Sequence, residues 1–307
     1  KTLLASPNIA AKHWLYQDFD FNAGQNTVVS PGVAGASVVK IPHKNKGLAL
    51  CTDGNSRFIY LNPEKGTMIA VCEAARNVSA LGALPIAITN GLNFGDPTHL
   101  DIYYQLVYSL QGMGKACEAL KTPITGGNAS LFNEGAFGSI YPTPIIGMVG
   151  LLKDLNLITT PHFKDKNHLI YLLGTNKEEI DGSEFAQVFY NNIGKNCPDI
   201  DLDFEAKVQK GVQDLIAQKL LQSADDISLG GLGVALAKGS IKGEKGFDIQ
   251  LNSPLSLEAT WFGETQSRFI ISLKKEDQEK VESFLKGQNI PFTLLGNTTL
   301  EPKMVFT

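Results

Sequence analysis

The segment Thr122-Pro123-Ile124-Thr125-Gly126-Gly127-Asn128-Ala129-Ser130 sets two glycines directly before an amide and, two residues on, a hydroxyl. A short strand running into such a loop can cradle a phosphate. Glycine lets the backbone approach an anion closely and take φ > 0, exposing N–H groups, while Asn128 and Ser130 offer neutral oxygens to Mg²⁺ or a substrate hydroxyl. The same pattern also reads as a tight turn. Glu73 and Asn77 are one helical turn apart, so a carboxylate and an amide project from one face as a half-site for a hard cation. The competing reading is a solvated Glu73–Arg76 pair. Asp53, in Cys51-Thr52-Asp53-Gly54-Asn55, ends a hydrophobic strand, and Asn90 ends another before Gly91-Leu92-Asn93-Phe94-Gly95. Strand ends favour ligand groups in α/β proteins, although Asp-Gly-Asn is also turn chemistry. In Ser223-Ala224-Asp225-Asp226-Ile227-Ser228-Leu229-Gly230-Gly231-Leu232, a glycine pair opens a helix, which suits either an anion or simple N-capping. Gly263-Glu264-Thr265-Gln266-Ser267-Arg268 either presents carboxylate, amide and guanidinium together or forms a polar turn. No Ser-His-Asp set, nucleophile elbow or Walker loop occurs.

The elements that must position these groups alternate from Gly47 to Leu152. The pattern predicts strands at Leu48–Thr52, Pro85–Thr89 and Pro144–Leu151, and helices at Thr67–Leu81 and Asp101–Leu120, an α/β layer. In the second of these helices Ile102, Leu106, Leu110, Met113, Cys117 and Leu120 form a stripe assigned to core, and Asp101 suits the helix dipole. Around Lys153–His168 the chain turns polar, which places a boundary between domains 1–152 and 153–307. Beyond it come a strand at His168–Leu173, a Gly- and Asn-rich stretch, a helix over about Phe204–Leu221, a helix ending near Ile241, a strand at Phe269–Leu273 and a surface helix at Lys275–Lys286. No internal repeat stands out. At 307 residues and 43% hydrophobic the chain can bury a large core, while a net charge of −4 argues against a nucleic-acid surface. No apolar run approaches the ~20 residues that span a bilayer, no signal-peptide core opens the chain, and a cytoplasmic setting is expected. The four cysteines show no CxxC pair and the five histidines no HExxH, so buried free thiols are expected rather than zinc or a Cys nucleophile. The start at Lys1, with Trp14, Tyr16 and Phe19 in an irregular polar stretch, reads as a fragment.

Taken together, the stretches SPNIAAKHWLYQDFD, ALCTDGNSRFIYLNPEKG, AVCEAARNVSALGALPIAITNGLNFGDP, TPITGGNASLFNE, YPTPIIGMVGLL and SADDISLGGLGVALA resemble the C-terminal half of phosphoribosylformylglycinamidine (FGAM) synthase. That resemblance implies an aminoimidazole ribonucleotide synthetase-like α/β layer followed by an α/β sandwich domain. It implies ATP-dependent amidation of formylglycinamide ribonucleotide, with ATP and Mg²⁺ as cofactors. Two similar halves pair about a pseudo-two-fold axis, so the implied partners are the N-terminal half of the same enzyme, a glutaminase domain or subunit, and the ribonucleotide. An isolated C-terminal half would lack the catalytic histidine, would be inactive, and would homodimerise over its open face. Carried over by position, Gly127 contacts ATP, Asn128 binds Mg²⁺ and Ser130 touches substrate. Asn90 falls where the family has an Asp for ATP, and an amide carries no negative charge. Glu73, Asn77 and Asp226 correspond to metal ligands, and Ser228 to a nucleotide contact, of an auxiliary pocket found in larger members. That pocket is expected to be weakened: Gly35 stands where a ligand Asp would be, and Asp225 and Leu229 replace the His and Asp of HDVSDGGL. The rival readings are an independent homodimeric kinase or synthetase of the same superfamily, and a non-catalytic scaffold half.

Overall fold

The computed structural model describes residues 1–136 and 138–307. After the short helix α1 (His13–Tyr16) come strands β1 (Thr27–Val29), β2 (Ser37–Lys40) and β3 (Gly47–Asp53), then helices α2 (Ser56–Leu61) and α3 (Pro63–Ala80). Strand β4 (Leu84–Asn93), helix α4 (Leu100–Leu120), strand β5 (Ile124–Ser130), a small hairpin of β6 (Glu134–Gly135) and β7 (Gly138–Ser139), and strand β8 (Ile145–Leu152) complete the first half. The sheet runs β1-β2-β3-β8-β4-β5, and only β4 and β5 pair in parallel. Period-two alternation sends Ile146, Met148 and Leu152 of β8 into the core beside Ile88 of β4. Helix α3 starts cleanly because Asn62 accepts the Lys65 N–H at 3.0 Å and Pro63 occupies the first helical position.

The expected stripe on α4 needs one correction. Ile102, Met113 and Cys117 are buried, but Leu110 is 43% exposed and Ser109 is fully buried. At 100° per residue, position 109 lies on the line through Ile102 and Met113, and position 110 has already turned away. The opposite face of the sheet is uncovered, with Leu50, Leu84, Ile86, Ile124 and Ile145 all exposed.

The second half runs β9 (Leu169–Leu173), α5 (Leu202–Ala217), β10 (Ser223–Asp226), α6 (Gly231–Gly243), β11 (Gly246–Ile249), α7 (Leu257–Phe262), β12 (Phe269–Leu273), α8 (Gln278–Gly287), β13 (Phe292–Thr299) and β14 (Met304–Phe306). Its sheet order is β10-β12-β9-β13-β11-β14. The apolar run of β12 is buried at every position because both faces are covered. Phe269, Ile271 and Leu273 join the core with Val208, Val212, Leu215, Val281 and Leu285 of α5 and α8, whereas Ile270 joins the one with Leu232, Ala235 and Leu236 of α6.

Helix α3 is common to both halves. Fourteen of its eighteen residues are buried. Its Ala70, Val71 and Ala74 pack under the first sheet, while Ala80 belongs to the core of the second, and the Gln213 amide of α5 donates to Ser79 Oγ at 2.8 Å. The four cysteines are free, Cys72 and Cys117 buried and Cys51 and Cys197 partly so. Among the described residues, no helix is long and apolar enough to cross a membrane.

Candidate functional site

The glycine segment is not a loop. All of Ile124–Ser130 is strand, and neither Gly126 nor Gly127 has a positive φ, so the expected left-handed cradle is replaced by an extended edge. Strand β4 correspondingly continues past Thr89 to Asn93, because parallel pairing with β5 satisfies its backbone. The register sets Asn90 opposite Gly127, Gly91 opposite Asn128 and Asn93 opposite Ser130. Glycine is required at 127 for close approach: a Cβ there would overlap the side-chain oxygen of Asn90, whose own amide reaches Met113 Sδ at 3.3 Å. Position 126 has open space beside it. Gly91 leaves room next to Asn128, whose Oδ1 lies 3.4 Å from where a Cβ at 91 would sit.

The C-terminal end of this edge is tied down by the segments that flank it. Phe94 donates its N–H to the Ser130 carbonyl at 3.0 Å, and the Asn133 amide donates to the carbonyls of Phe94 (3.0 Å) and Ser130 (2.8 Å). Glu134 accepts the Asp96 N–H at 2.9 Å and the Ser139 hydroxyl at 2.8 Å. The result is an amide and a hydroxyl oxygen, Asn128 and Ser130, on one face of the open edge strand, with Asn90 of interior strand β4 turned to the other face toward Met113. Neutral groups of this kind can orient a phosphate, a sugar hydroxyl or a cation; they cannot transfer a proton. Asn128 fits as one oxygen ligand of a cation whose remaining ligands come from outside this chain.

The other expected constellation is assembled differently. Glu73 and Arg76 are 6% and 0% exposed, so the solvated-pair reading of them does not hold. Arg76 turns to the second half of the chain, donating from Nη1 to Glu205 Oε2 at 3.0 Å and from Nη2 to Gln266 Oε1 at 2.8 Å, with Nε 3.8 Å from Asp226 Oδ2. Asn77 donates to Asp53 Oδ2 at 2.9 Å, and its Oδ1 occupies the space that a Cβ at Gly35 would need. Asp225 faces Lys238 at 3.8 Å. Burial, reinforced by the negative charge of Asp226, raises the Asp53 carboxyl to about 7, and burial with Asp53 and Asp226 raises Glu73 as well. Burial raises Asp225 to about 6 against the pull of Lys238, and raises Asp226 despite Arg76, Lys238 and the Ser228 hydroxyl beside it. Gly230 and Gly231 do have positive φ, yet the N–H of Gly230 is taken by Glu264 Oε1 at 2.8 Å, which also accepts the Glu184 N–H at 2.8 Å. The anion at that helix start is the protein's own. Among the described residues, no group of three or more His, Cys, Asp or Glu is arranged to hold a metal ion. The set does not close around a divalent cation: Asn77 is bonded to Asp53 and Arg76 Nε stands 3.8 Å from Asp226 Oδ2, although that buried oxygen accepts no hydrogen bond.

Sequence reading singled out Glu264 and Gln266 as part of a polar segment but missed Glu205, Lys238, Asn133 and Glu134. Glu205 offered no signal, since an acid in the first turn of a helix reads as dipole complementation.

Comparison with known proteins places this fold. Residues 34–152 match the AIR synthase related protein N-terminal domain and residues 166–307 the AIR synthase related protein C-terminal domain, and the chain belongs to that family. Within it, the chain is 45% identical over 296 residues to the phosphoribosylformylglycinamidine synthase subunit PurL of Alkaliphilus metalliredigens, covering 96% of this chain and 40% of that protein. The chain therefore spans less than half the length of this curated relative. Thermotoga maritima PurL complexed with FGAR superposes with a TM-score of 0.76 at 14% identity, over 90% of this chain and 45% of that one. The same protein complexed with ATP gives 0.63 at 22% identity, over 94% and 41%. At such identities these structures speak for the fold, and both align with most of this chain.

Proposed function

We propose that this chain supplies one half of the ATP–Mg²⁺ and ribonucleotide site of an FGAM synthase, and that the N-terminal half of the same enzyme and a glutaminase complete it. In the reaction the γ-phosphoryl group of ATP passes to the formamide oxygen of formylglycinamide ribonucleotide, and ammonia displaces that oxygen as phosphate. The observation that carries the reading is the pairing of β4 and β5, which sets Asn128 and Ser130 on one face of an uncovered edge strand and seats Asn90 of the neighbouring strand against Gly127. In this reading Gly127 and Asn90 approach ATP, Ser130 meets the substrate, and Asn128 holds Mg²⁺. When bound, the metal spreads the charge of the transferred phosphoryl group. Strand β5 carries no ionisable side chain; in this reading proton transfer falls to residues of the other half, and this chain alone turns nothing over. Similarity to a PurL subunit and to a PurL structure complexed with ATP supports the nucleotide.

The test uses enzyme reconstituted from both halves. Asn128→Ala removes an oxygen that matters most as phosphoryl charge develops, so turnover should fall on the order of 10²-fold while the denaturant midpoint stays put. Unchanged kinetics with lowered stability would reduce Asn128 to a structural residue and sink the proposal.

A further inference from the structure

The network around α3 joins groups from every part of the chain that meets there. Glu205 on α5 is saturated: it takes Arg76, the Gln209 amide at 2.8 Å and the Ser267 hydroxyl. Gln209 also donates to the Cys72 carbonyl of α3 at 3.3 Å, and Gln266 passes its own amide on to the Glu264 carbonyl at 2.8 Å. Arg76, Glu205 and Gln266 are each at most 5% exposed. Of the residues that the family resemblance would assign to a magnesium–nucleotide pair, Asn77 and Asp226 face other groups of the protein, as do the neighbouring Asp225 and Gly230. Asn77 is bonded to Asp53 and lodged against Gly35, Asp226 faces Arg76, Asp225 faces Lys238, and the helix-start N–H of Gly230 is occupied by Glu264.

We infer that this cluster is a metal-free electrostatic latch between the two halves of the chain, with Arg76 and Lys238 as resident cations where a magnesium–nucleotide pair would otherwise sit. A buried guanidinium held by a carboxylate and an amide gives direction as well as charge, and α3 on one side and α5 and residues 263–268 on the other are fixed relative to one another by it. The pocket is distinct from the edge proposed as the active site, so its test does not depend on turnover.

Two measurements on the chain alone decide the matter. Calorimetric titration with Mg²⁺ and ADP should show no stoichiometric binding at this cluster, and neither 1 mM Mg–ADP nor EDTA should move Tm. A ligand present at a hundredfold its Kd would raise Tm by about 5 °C, so the comparison is sensitive. Saturable binding that raises Tm and is abolished by Glu73→Gln would overturn the inference. For the latch itself, Arg76→Met should lower Tm by roughly 5–10 °C, and Arg76→Met with Glu205→Gln should lower it by clearly less than the two single losses combined. Additive losses would mean that the two groups do not act together. Should Arg76→Met fail to fold, Arg76→Lys with Glu205→Gln supplies the same cycle, because lysine keeps the charge but loses the forked geometry.

Discussion

Gly126 and Gly127 are neighbours in sequence with unequal structural roles. Beside Gly126 there is empty space, and beside Gly127 lies the Asn90 amide oxygen. Gly126→Ala should therefore leave stability within about 0.5 kcal/mol of wild type, whereas Gly127→Ala should cost about 1–3 kcal/mol and displace the Asn90 side chain. Denaturant melts of the two variants check this, and equal effects would refute the close approach. Glu264 gives a second residue-scale test. Burial raises its carboxyl to about 7 even though it accepts two backbone N–H groups. A carboxyl raised in the folded state contributes its stability below its unfolded value near 4.5, and that contribution is lost as pH rises through about 7. Stability should thus decline between about pH 4.5 and 7, and Glu264→Gln, which keeps an oxygen for both N–H groups, should flatten that decline and stabilise the protein at pH 8 by about 1–3 kcal/mol. Thermal melts across that range would show the opposite slope if the helix-start N–H groups outweighed the burial.

At the scale of elements, α3 matters most because it is packed by both halves. Asn62→Ala removes the side-chain oxygen that accepts the Lys65 N–H and should cost about 1 kcal/mol. Since both sheets lean on this helix, near- and far-ultraviolet signals should shift together in a melt of the variant. Two separated transitions would show that the helix belongs to one half only. The same helix marks what sequence could and could not say. Its apolar positions and those of β8, β9 and β12 were legible because long periodic or continuous apolar runs have few alternatives. Strands β1, β2, β11 and β14 are three or four residues long, and pairing rather than local pattern makes them strands. At the site, Asn90, Gly127 and Asn128 stood out singly by residue type, yet their alignment depends on a parallel register between segments more than thirty residues apart. Arg76 was read with its helical neighbour Glu73, whereas its partner Glu205 lies 129 residues away.

At the scale of the whole molecule, the uncovered face of the first sheet exposes Leu50, Leu84, Ile86, Ile124 and Ile145 beside the proposed ligand edge. Apolar surface of that extent on a sheet is a place for a partner, and the N-terminal half is the partner proposed. Without it the chain should pair with itself at micromolar concentration. Ile86→Lys, on the open face, should give a monomer in sedimentation with little loss of Tm; a monomeric wild type would count against this use of the face. The strand order of the second sheet carries a different kind of consequence. Strand β9 sits between β12 and β13, both of which begin about a hundred residues later in the chain. At a synthesis rate of about 5–20 residues per second, the apolar run Leu169–Leu173 waits roughly 5–20 s for either neighbour to be made. During translation this run is an unpaired strand with nothing of its own sheet to join, and for that interval it offers an apolar stretch to a chaperone at the ribosome exit.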